Sequence, residues 1–244
     1  MGLLLLLLWA QAVVSPPVLQ LARVERRVSL ELERLPDYTC TETIERKVTM
    51  PTRRITKPFD TLKLDVAFIG GRELYGKQGA GAMEHSSPGD MYRWGATSNG
   101  EFAGHLRTIF VQRGATISYG RVERMDGRNA VRWYYTVPYL SSGWWLQYEK
   151  QRARVGSQGT FWTDPKTLDL VRVEFDAIEI PPEFPVAAVR VGIWYEMVRM
   201  GKRSVLIPQR STLLVHDRDG TVNSNVSRFS RCREYHAESE ISFK

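Results

Sequence analysis

The side chains best suited to chemistry are few in this chain of 244 residues, and they are widely spaced. There are two cysteines, Cys40 and Cys232, and four histidines. The histidines belong to four separate segments: His85, His105, His216 and His236. Neither HExxH nor CxxC occurs, and no spacing is typical of a metal site. We therefore expect neither a metal ion nor another cofactor.

Three short motifs could belong to an enzyme, and each lacks the context that the chemistry needs. Ser157 lies in VGSQG, which has the order G-S-x-G between two predicted strands, whereas a nucleophile elbow is G-x-S-x-G at a strand-to-helix turn. Glu84 and His85 could form an acid/base pair, but nothing around them predicts a positioned pocket. The glycines of 76–100 lack the order of a phosphate-binding loop. We predict that the protein is not an enzyme.

The start of the chain predicts export. Residues 3–14 form an apolar stretch too short to cross a bilayer, and AQA at 10–12 is typical of a cleavage site. The predicted signal peptide is 1–12, which makes the mature protein periplasmic or secreted, with no transmembrane segment after cleavage. Cleavage after Ser15 and a buried N-terminal helix are the alternatives. No Lys or Arg precedes the leucines, which leaves open a start upstream of Met1.

In an exported protein, two cysteines can form a disulfide that persists. Cys40 stands at the head of one alternating segment and Cys232 at the head of another. A bond between them would join the first strand to the last and close a loop of about 190 residues, which the chain-entropy model values at about 5 kcal/mol. The alternative is a pair of separate buried thiols.

The elements that position these residues are mostly strands. One amphipathic helix is predicted over 18–35 and a shorter one over 101–110. Apolar residues alternate with polar ones in four clear segments: LKLDVAF (62–68), VRWYYTV (131–137), DLVRVEFD (169–176) and VRVGIWYEM (189–197). Short turns such as Gly70-Gly71 and Asp126-Gly127 separate the strands, so neighbouring strands are expected to be antiparallel.

The predicted fold is therefore mainly β. We expect a single curved antiparallel sheet or an incomplete β-barrel, with an N-terminal helix and one short internal helix. Residues 13–244 contain no repeat, linker or break in composition, which predicts a single domain. Residues 76–100 are rich in Gly and Ser and are predicted to form a long mobile loop or lid.

Aromatic residues on the predicted strands suggest a binding surface. A curved sheet could direct several of them to one side and so line an apolar cavity beneath the helices. The candidate ligand-lining residues are Trp133, Tyr135, Trp162, Phe175 and Tyr195. The alternative is that they form an ordinary packed core.

The net charge of +7, with a pI near 9.5, could favour anionic lipid, peptidoglycan or nucleic acid. The basic residues, however, are scattered along the strands and alternate with acidic ones. This pattern is typical of a mixed solvated surface, so we expect no nucleic-acid partner.

Several blocks of sequence resemble an uncharacterised family of exported bacterial proteins. They are LPDYTCTETIER (35–46), DTLKLDVAFIGGRELY (60–75), GEFAGHLRTIF (100–110), GTFWTDPKTLDLVRVE (159–174), LIPQRSTLLVHDRDG (206–220) and FSRCREYHAESEISF (229–243). More loosely, the helix, the antiparallel strands and the hairpin at 161–174 resemble the periplasmic lipoprotein-carrier superfamily, the LolA-like half-barrels.

The half-barrel resemblance implies a non-enzymatic envelope protein that binds an apolar or lipidic ligand in a LolA-like domain. No functional residue can be transferred by motif. The alternative is a structural or protein-interaction module of the cell envelope whose partner is another envelope protein.

Overall fold

The structure is a computed structural model that describes residues 16–52, 55–92, 94–112 and 114–235. The predicted signal peptide (1–12) and His236 lie outside the described residues. Strands make up 56% of the chain, and the largest element is a ten-stranded antiparallel sheet that does not close into a barrel. The mainly β fold class predicted from the sequence is confirmed, as an open sheet.

The described residues form twelve strands. Their bounds are β1 Tyr38–Thr49, β2 Thr56–Ile69, β3 Arg72–Lys77, β4 Thr116–Met125, β5 Arg128–Val137, β6 Trp145–Tyr148, β7 Gln151–Arg154, β8 Gly156–Thr163, β9 Leu170–Ile178, β10 Val186–Met200, β11 Arg203–Asp217 and β12 Val222–Glu234. The large sheet has the order β3-β2-β1-β12-β11-β10-β9-β8-β5-β4, and β6 pairs with β7 as a separate hairpin. The chain therefore returns to its beginning, because β12 pairs with β1.

The predicted turns are present where the sequence placed them. Gly70 and Gly71 join β2 to β3 with φ values of 56° and 79°. Asp126 and Gly127 join β4 to β5 with φ values of 50° and 80°. Two consecutive residues at positive φ match the twist of a two-residue hairpin, and glycine and aspartate tolerate that conformation.

Two α-helices lie against the sheet. Helix α1 (Pro16–Glu33) begins and ends two residues before the predicted bounds, and its apolar stripe is buried. Helix α2 (Gly104–Phe110) begins three residues later than predicted, because residues 101–103 form a turn that is buried in the core. None of the helices in the described ranges is long and apolar enough to span a membrane.

The register assigns each side chain to one face of the sheet. Trp133 lies opposite Phe161, Phe161 lies opposite Val173, and Val173 lies opposite Ile193. All four side chains are buried, and Phe110 of α2 contacts Phe161 with ring centroids 5.0 Å apart. We call this helix-covered side the inner face and the opposite side the outer face.

The Gly/Ser-rich segment 76–100 is packed more closely than the predicted mobile lid. His85 pairs with Tyr75 of β3 through two backbone hydrogen bonds. The guanidinium of Arg46, which is buried, donates to the carbonyl of Trp94 at 2.6 Å. Asn225 of β12 donates to the carbonyl of Ala96 at 2.7 Å. Two distant strands therefore hold this segment in place.

The predicted disulfide between Cys40 and Cys232 is present, with the two Cα atoms 4.1 Å apart. Cys232 lies near the end of β12 and not at the head of a strand. This position follows from the antiparallel pairing, which brings the start of β1 beside the end of β12. A β-bulge lies at the same point, where the pairing shifts between Thr39 and Thr41.

Candidate functional site

Four of the five predicted ligand-lining residues lie on the inner face. Trp133, Tyr135, Phe175 and Tyr195 are all buried, with at most 3% of their surface exposed. The rings of Trp133 and Tyr135 contact Phe161 at centroid distances of 6.1 Å and 6.4 Å. The inner face therefore carries a continuous apolar aromatic surface, and neighbouring side chains of that surface touch one another.

The fifth, Trp162, lies on the outer face. Its indole N–H donates to the Glu123 carboxylate at 2.8 Å, and its ring lies between the guanidinium groups of Arg132 and Arg172. Adjacent residues of a strand point to opposite faces, so Trp162 cannot share a face with Phe161. The alternation within GTFWT already carries this information.

Helix α2 covers the aromatic surface. His105 contacts the ring of Phe175 at 4.3 Å between centroids, and Leu106 and Ile109 are buried. The space left beside the helix is a cavity of about 10 Å³. It is lined by His105, Thr108, Ile109, Tyr135, Trp144, Ser157 and Phe175. This space is at the lower limit for one water molecule, so α2 fills the inner face in this conformation.

His105 is a polar side chain in this apolar setting, and sequence analysis did not select it as a site residue. Burial lowers the pKa of His105 to about 4, although a hydrogen bond to the backbone of Asn99 opposes the shift. The imidazole is therefore neutral near pH 7. Its Nε2 atom is buried and has no hydrogen-bond partner. Because Nδ1 is the nitrogen left to bond Asn99, Nε2 carries a free lone pair that can accept a proton donor.

A glutamate of β3 anchors the turn that precedes α2. The carboxylate of Glu73 on β3 accepts hydrogen bonds from the backbone N–H groups of Gly100 (2.8 Å) and Phe102 (3.1 Å), and from the Tyr75 hydroxyl (2.6 Å). The N-cap residue of α2, Ala103, makes no side-chain hydrogen bond. Glu73 therefore fixes, from a distant strand, the turn that leads into α2.

Two more glutamates belong to the same cluster. Burial, together with the nearby Glu73 charge, raises the pKa of Glu101 to about 7, while hydrogen bonds from Ser98 and Ser211 oppose the shift. Burial and the Glu101 charge likewise raise the pKa of Glu42 well above its usual range. The cluster can therefore hold protons near neutral pH. Within the described ranges, no group of three or more His, Cys, Asp or Glu residues is placed to hold a metal ion.

A second, open cleft of about 410 Å³ lies along segment 76–91 and includes Glu84 and His85. Both residues are exposed, and no hydrogen bond joins their side chains. His85 contributes its backbone to the bridge with Tyr75. The two side chains are therefore solvated and are not arranged as an acid/base pair.

No protein-family model matches the chain, and no curated protein matches it. Several solved structures are similar in fold. An outer membrane lipoprotein-sorting protein domain from Vibrio parahaemolyticus is 12% identical, with a TM-score of 0.48, 89% of this chain covered and 93% of that chain. A DUF1329 family protein from Desulfovibrio piger is 10% identical, with a TM-score of 0.45, 92% of this chain covered and 96% of that chain.

A third structure, the lipoprotein LppX from Mycobacterium tuberculosis, is 14% identical, with a TM-score of 0.29, 91% of this chain covered and 99% of that chain. At these identities and TM-scores the likeness concerns the path of the chain alone.

Proposed function

We propose that this chain is a non-enzymatic, exported envelope protein that binds an apolar or lipidic ligand between the inner face and α2. The observation that carries the proposal is the aromatic surface beneath this short helix. Trp133, Tyr135 and Phe175 present large apolar side chains on one side of an open sheet. Moving α2 away would uncover them together and create an apolar site.

The way in which α2 is held supports this proposal. The helix has only seven residues, and the hydrogen bonds of Glu73 are made just before it begins. Glycines flank this attachment at Gly100 and Gly104, and Gly100 has a φ of 95°, which few other residues adopt. Within α2, Arg107 donates to the Gly71 carbonyl and Phe110 accepts from the Ser29 hydroxyl. None of these bonds belongs to the strand pairing, so the helix can separate from the sheet without disturbing that pairing.

The cavity beside α2 also favours a ligand with one polar end. Nε2 of His105 is an acceptor without a partner, and the hydroxyl-bearing residues Thr108 and Ser157 line the same space. A ligand that places a hydroxyl or amide N–H there would satisfy Nε2, while its apolar part would lie on the aromatic surface. Burying an unpaired polar group is costly, so this bond would favour the bound state.

A substitution that fills the cavity tests the proposal. Ser157→Leu places a larger apolar side chain on the inner face of β8, and Gln158→Leu makes a similar change at the next, exposed residue. We expect the unmodified protein to bind a fluorescent fatty-acid probe at about one site. Ser157→Leu should weaken this binding by about tenfold or more, and Gln158→Leu should leave it unchanged.

Native mass spectrometry of protein purified from the envelope provides a second measurement. A co-purifying lipid in the unmodified protein, reduced in Ser157→Leu, would agree with the proposal. A folded protein that binds no apolar probe and co-purifies with no lipid would contradict it. An equal loss of binding in both variants, with the melting temperature unchanged, would place the ligand elsewhere.

A further inference from the structure

Exposed apolar and basic side chains gather at one end of the molecule, on the β6–β7 hairpin and the 3-10 turn before it. Leu140 is 80% exposed and Trp145 is 50% exposed. Tyr139 is 41% exposed, and Arg152 and Arg154 lie on the same side. We call these five residues the hairpin surface.

The hairpin surface is held rigidly from behind. Trp145 pairs with Arg154, and Gln147 pairs with Arg152, so these side chains share one face of the hairpin. The opposite face carries Leu146 and Ala153, which are buried in the main core. The exposed side chains are therefore presented by an anchored element and not by a free loop.

Arg154 joins the turn to the hairpin. Its guanidinium donates to the carbonyls of Ser142 at 2.6 Å and Leu140 at 3.1 Å, and it lies 5.6 Å from the ring centroid of Tyr139. These contacts use the backbone of Leu140 and leave its side chain pointing into solvent. The protein thus keeps a large apolar side chain exposed, although burying such a side chain is favourable.

Basic groups surround these apolar side chains. The guanidinium of Arg152 lies 5.2 Å from the Trp145 ring, and Lys150 is exposed at the hairpin turn. Four acids are nearby: Glu149 at the turn, Glu179, which accepts a hydrogen bond from the backbone N–H of Tyr139, and Asp217 and Asp219, which lie near Tyr148 on the opposite face of the hairpin. The two charged members of the hairpin surface itself, Arg152 and Arg154, are both basic, on a chain with a net charge of +7.

We propose that the hairpin surface docks on an anionic lipid bilayer. Leu and Trp side chains suit the boundary between headgroups and acyl chains, and Arg and Lys suit the phosphates beside it. A second copy of the chain fits poorly, since a two-fold contact would bring Arg152 and Arg154 of both copies together. Like charges placed across an interface oppose association.

The position of the hairpin surface also connects it with the inner face. Trp145 points outward, whereas the preceding residue, Trp144, packs against the core and lines the cavity beside His105. Docking would therefore place the bilayer next to the α2 end of the sheet. The docking surface does not depend on the proposed ligand, because its residues are exposed in the closed conformation.

Vesicle sedimentation tests this proposal. We expect the mature protein to bind phosphatidylcholine vesicles that contain about one third phosphatidylglycerol, and to bind less as salt is added. The double variant Leu140→Ser/Trp145→Ser should bind these vesicles at least about tenfold more weakly than the unmodified protein does. Arg152→Gln should also weaken binding to these vesicles. Because the residue is exposed, we expect only a small loss of stability, from its contact with Trp145.

Two matched controls isolate the hairpin surface. Tyr119→Ser/Val122→Ser removes exposed apolar side chains from β4, and Arg228→Gln removes an exposed charge from β12, so both should bind as the unmodified protein does. Circular dichroism would check that each variant is folded.

The proposal is overturned if the unmodified protein does not bind these vesicles, or if the hairpin and β4 variants lose binding equally. It is also overturned if the unmodified protein is a dimer that Leu140→Ser/Trp145→Ser dissociates. Failure to bind the fatty-acid probe would leave this result unaffected, so the two proposals can fail separately.

Discussion

At the scale of single residues, buried ionisable groups determine how stability depends on pH. Because burial raises the pKa of Glu101 to about 7, the folded protein keeps a proton that the unfolded chain loses above about pH 4.5. Stability therefore falls as the pH rises from about 4.5 to 7. His105 acts in the opposite direction, because its lowered pKa of about 4 makes stability fall as the pH drops from about 6.5 to 4.

Glu101→Gln separates these two contributions. The variant has no charge to bury, so we expect it to be more stable than the unmodified protein at pH 8 by about 3 kcal/mol, and about equally stable at pH 4.5. Urea unfolding at both pH values measures the difference. Glu196→Gln, at an exposed site on β10, should show no such difference between the two pH values. If Glu101→Gln shows the pH dependence of the unmodified protein, Glu101 does not carry a proton in the folded state near pH 7.

At the scale of elements, a row of alternating Arg and Trp side chains joins five strands across the outer face. Arg132, Trp162, Arg172, Trp194 and Arg210 occupy directly paired positions on β5, β8, β9, β10 and β11. Each guanidinium lies between 4.2 and 5.4 Å from the centroid of a neighbouring indole. Such cation–π contacts add cross-strand stabilisation to the face opposite α1 and α2.

Trp194→Leu tests the contribution of this row. Trp194 contacts both Arg172 and Arg210, so its loss should lower the free energy of unfolding by about 1.5 kcal/mol. Trp145→Leu removes an exposed indole that contacts Arg152 in the β6–β7 hairpin, and about half that loss is expected. Urea unfolding of both variants gives the comparison. Equal losses in the two variants would mean that the alternation of Arg and Trp along the row adds nothing to the stability of the sheet.

The same row explains what sequence analysis could and could not predict. Alternation is a property of one strand, so the faces of Val131–Val137 and of the Phe175 strand were predictable from local pattern alone. The partners of Trp162 depend on three strands pairing in one register, which no local pattern specifies. The packing of segment 76–100 depends on Arg46 and Asn225, which are remote in sequence. The burial of Glu42, by contrast, was predictable from the sequence, because this residue falls between Cys40 and Ile44 on the buried side of β1.

At the scale of the whole molecule, the first strand of the chain, β1, pairs with the last, β12, within the sheet and not at its edge. Strands β3, β2 and β1 come from the first third of the described chain, and they join the rest of the sheet through the pairing of β1 with β12. The disulfide between Cys40 and Cys232 crosses this junction. It therefore links covalently the strands that are most distant in sequence, and these pair only after a loop of 192 residues has closed.

This arrangement predicts that substitution of either cysteine lowers the free energy of unfolding by the same amount. Cys40→Ala, Cys232→Ala and the double variant each break the same bond, so each should lower the free energy of unfolding by roughly 3 kcal/mol, with no further loss in the double variant. Alanine avoids placing a hydroxyl at Cys40, which is buried. Unfolding in urea measures the three variants, and the unmodified protein in reductant should match them. Losses that add up in the double variant, or two thiols that react freely in protein taken from the envelope, would show that the cysteines act separately. In that case hydrogen bonding between β1 and β12 would hold the junction alone.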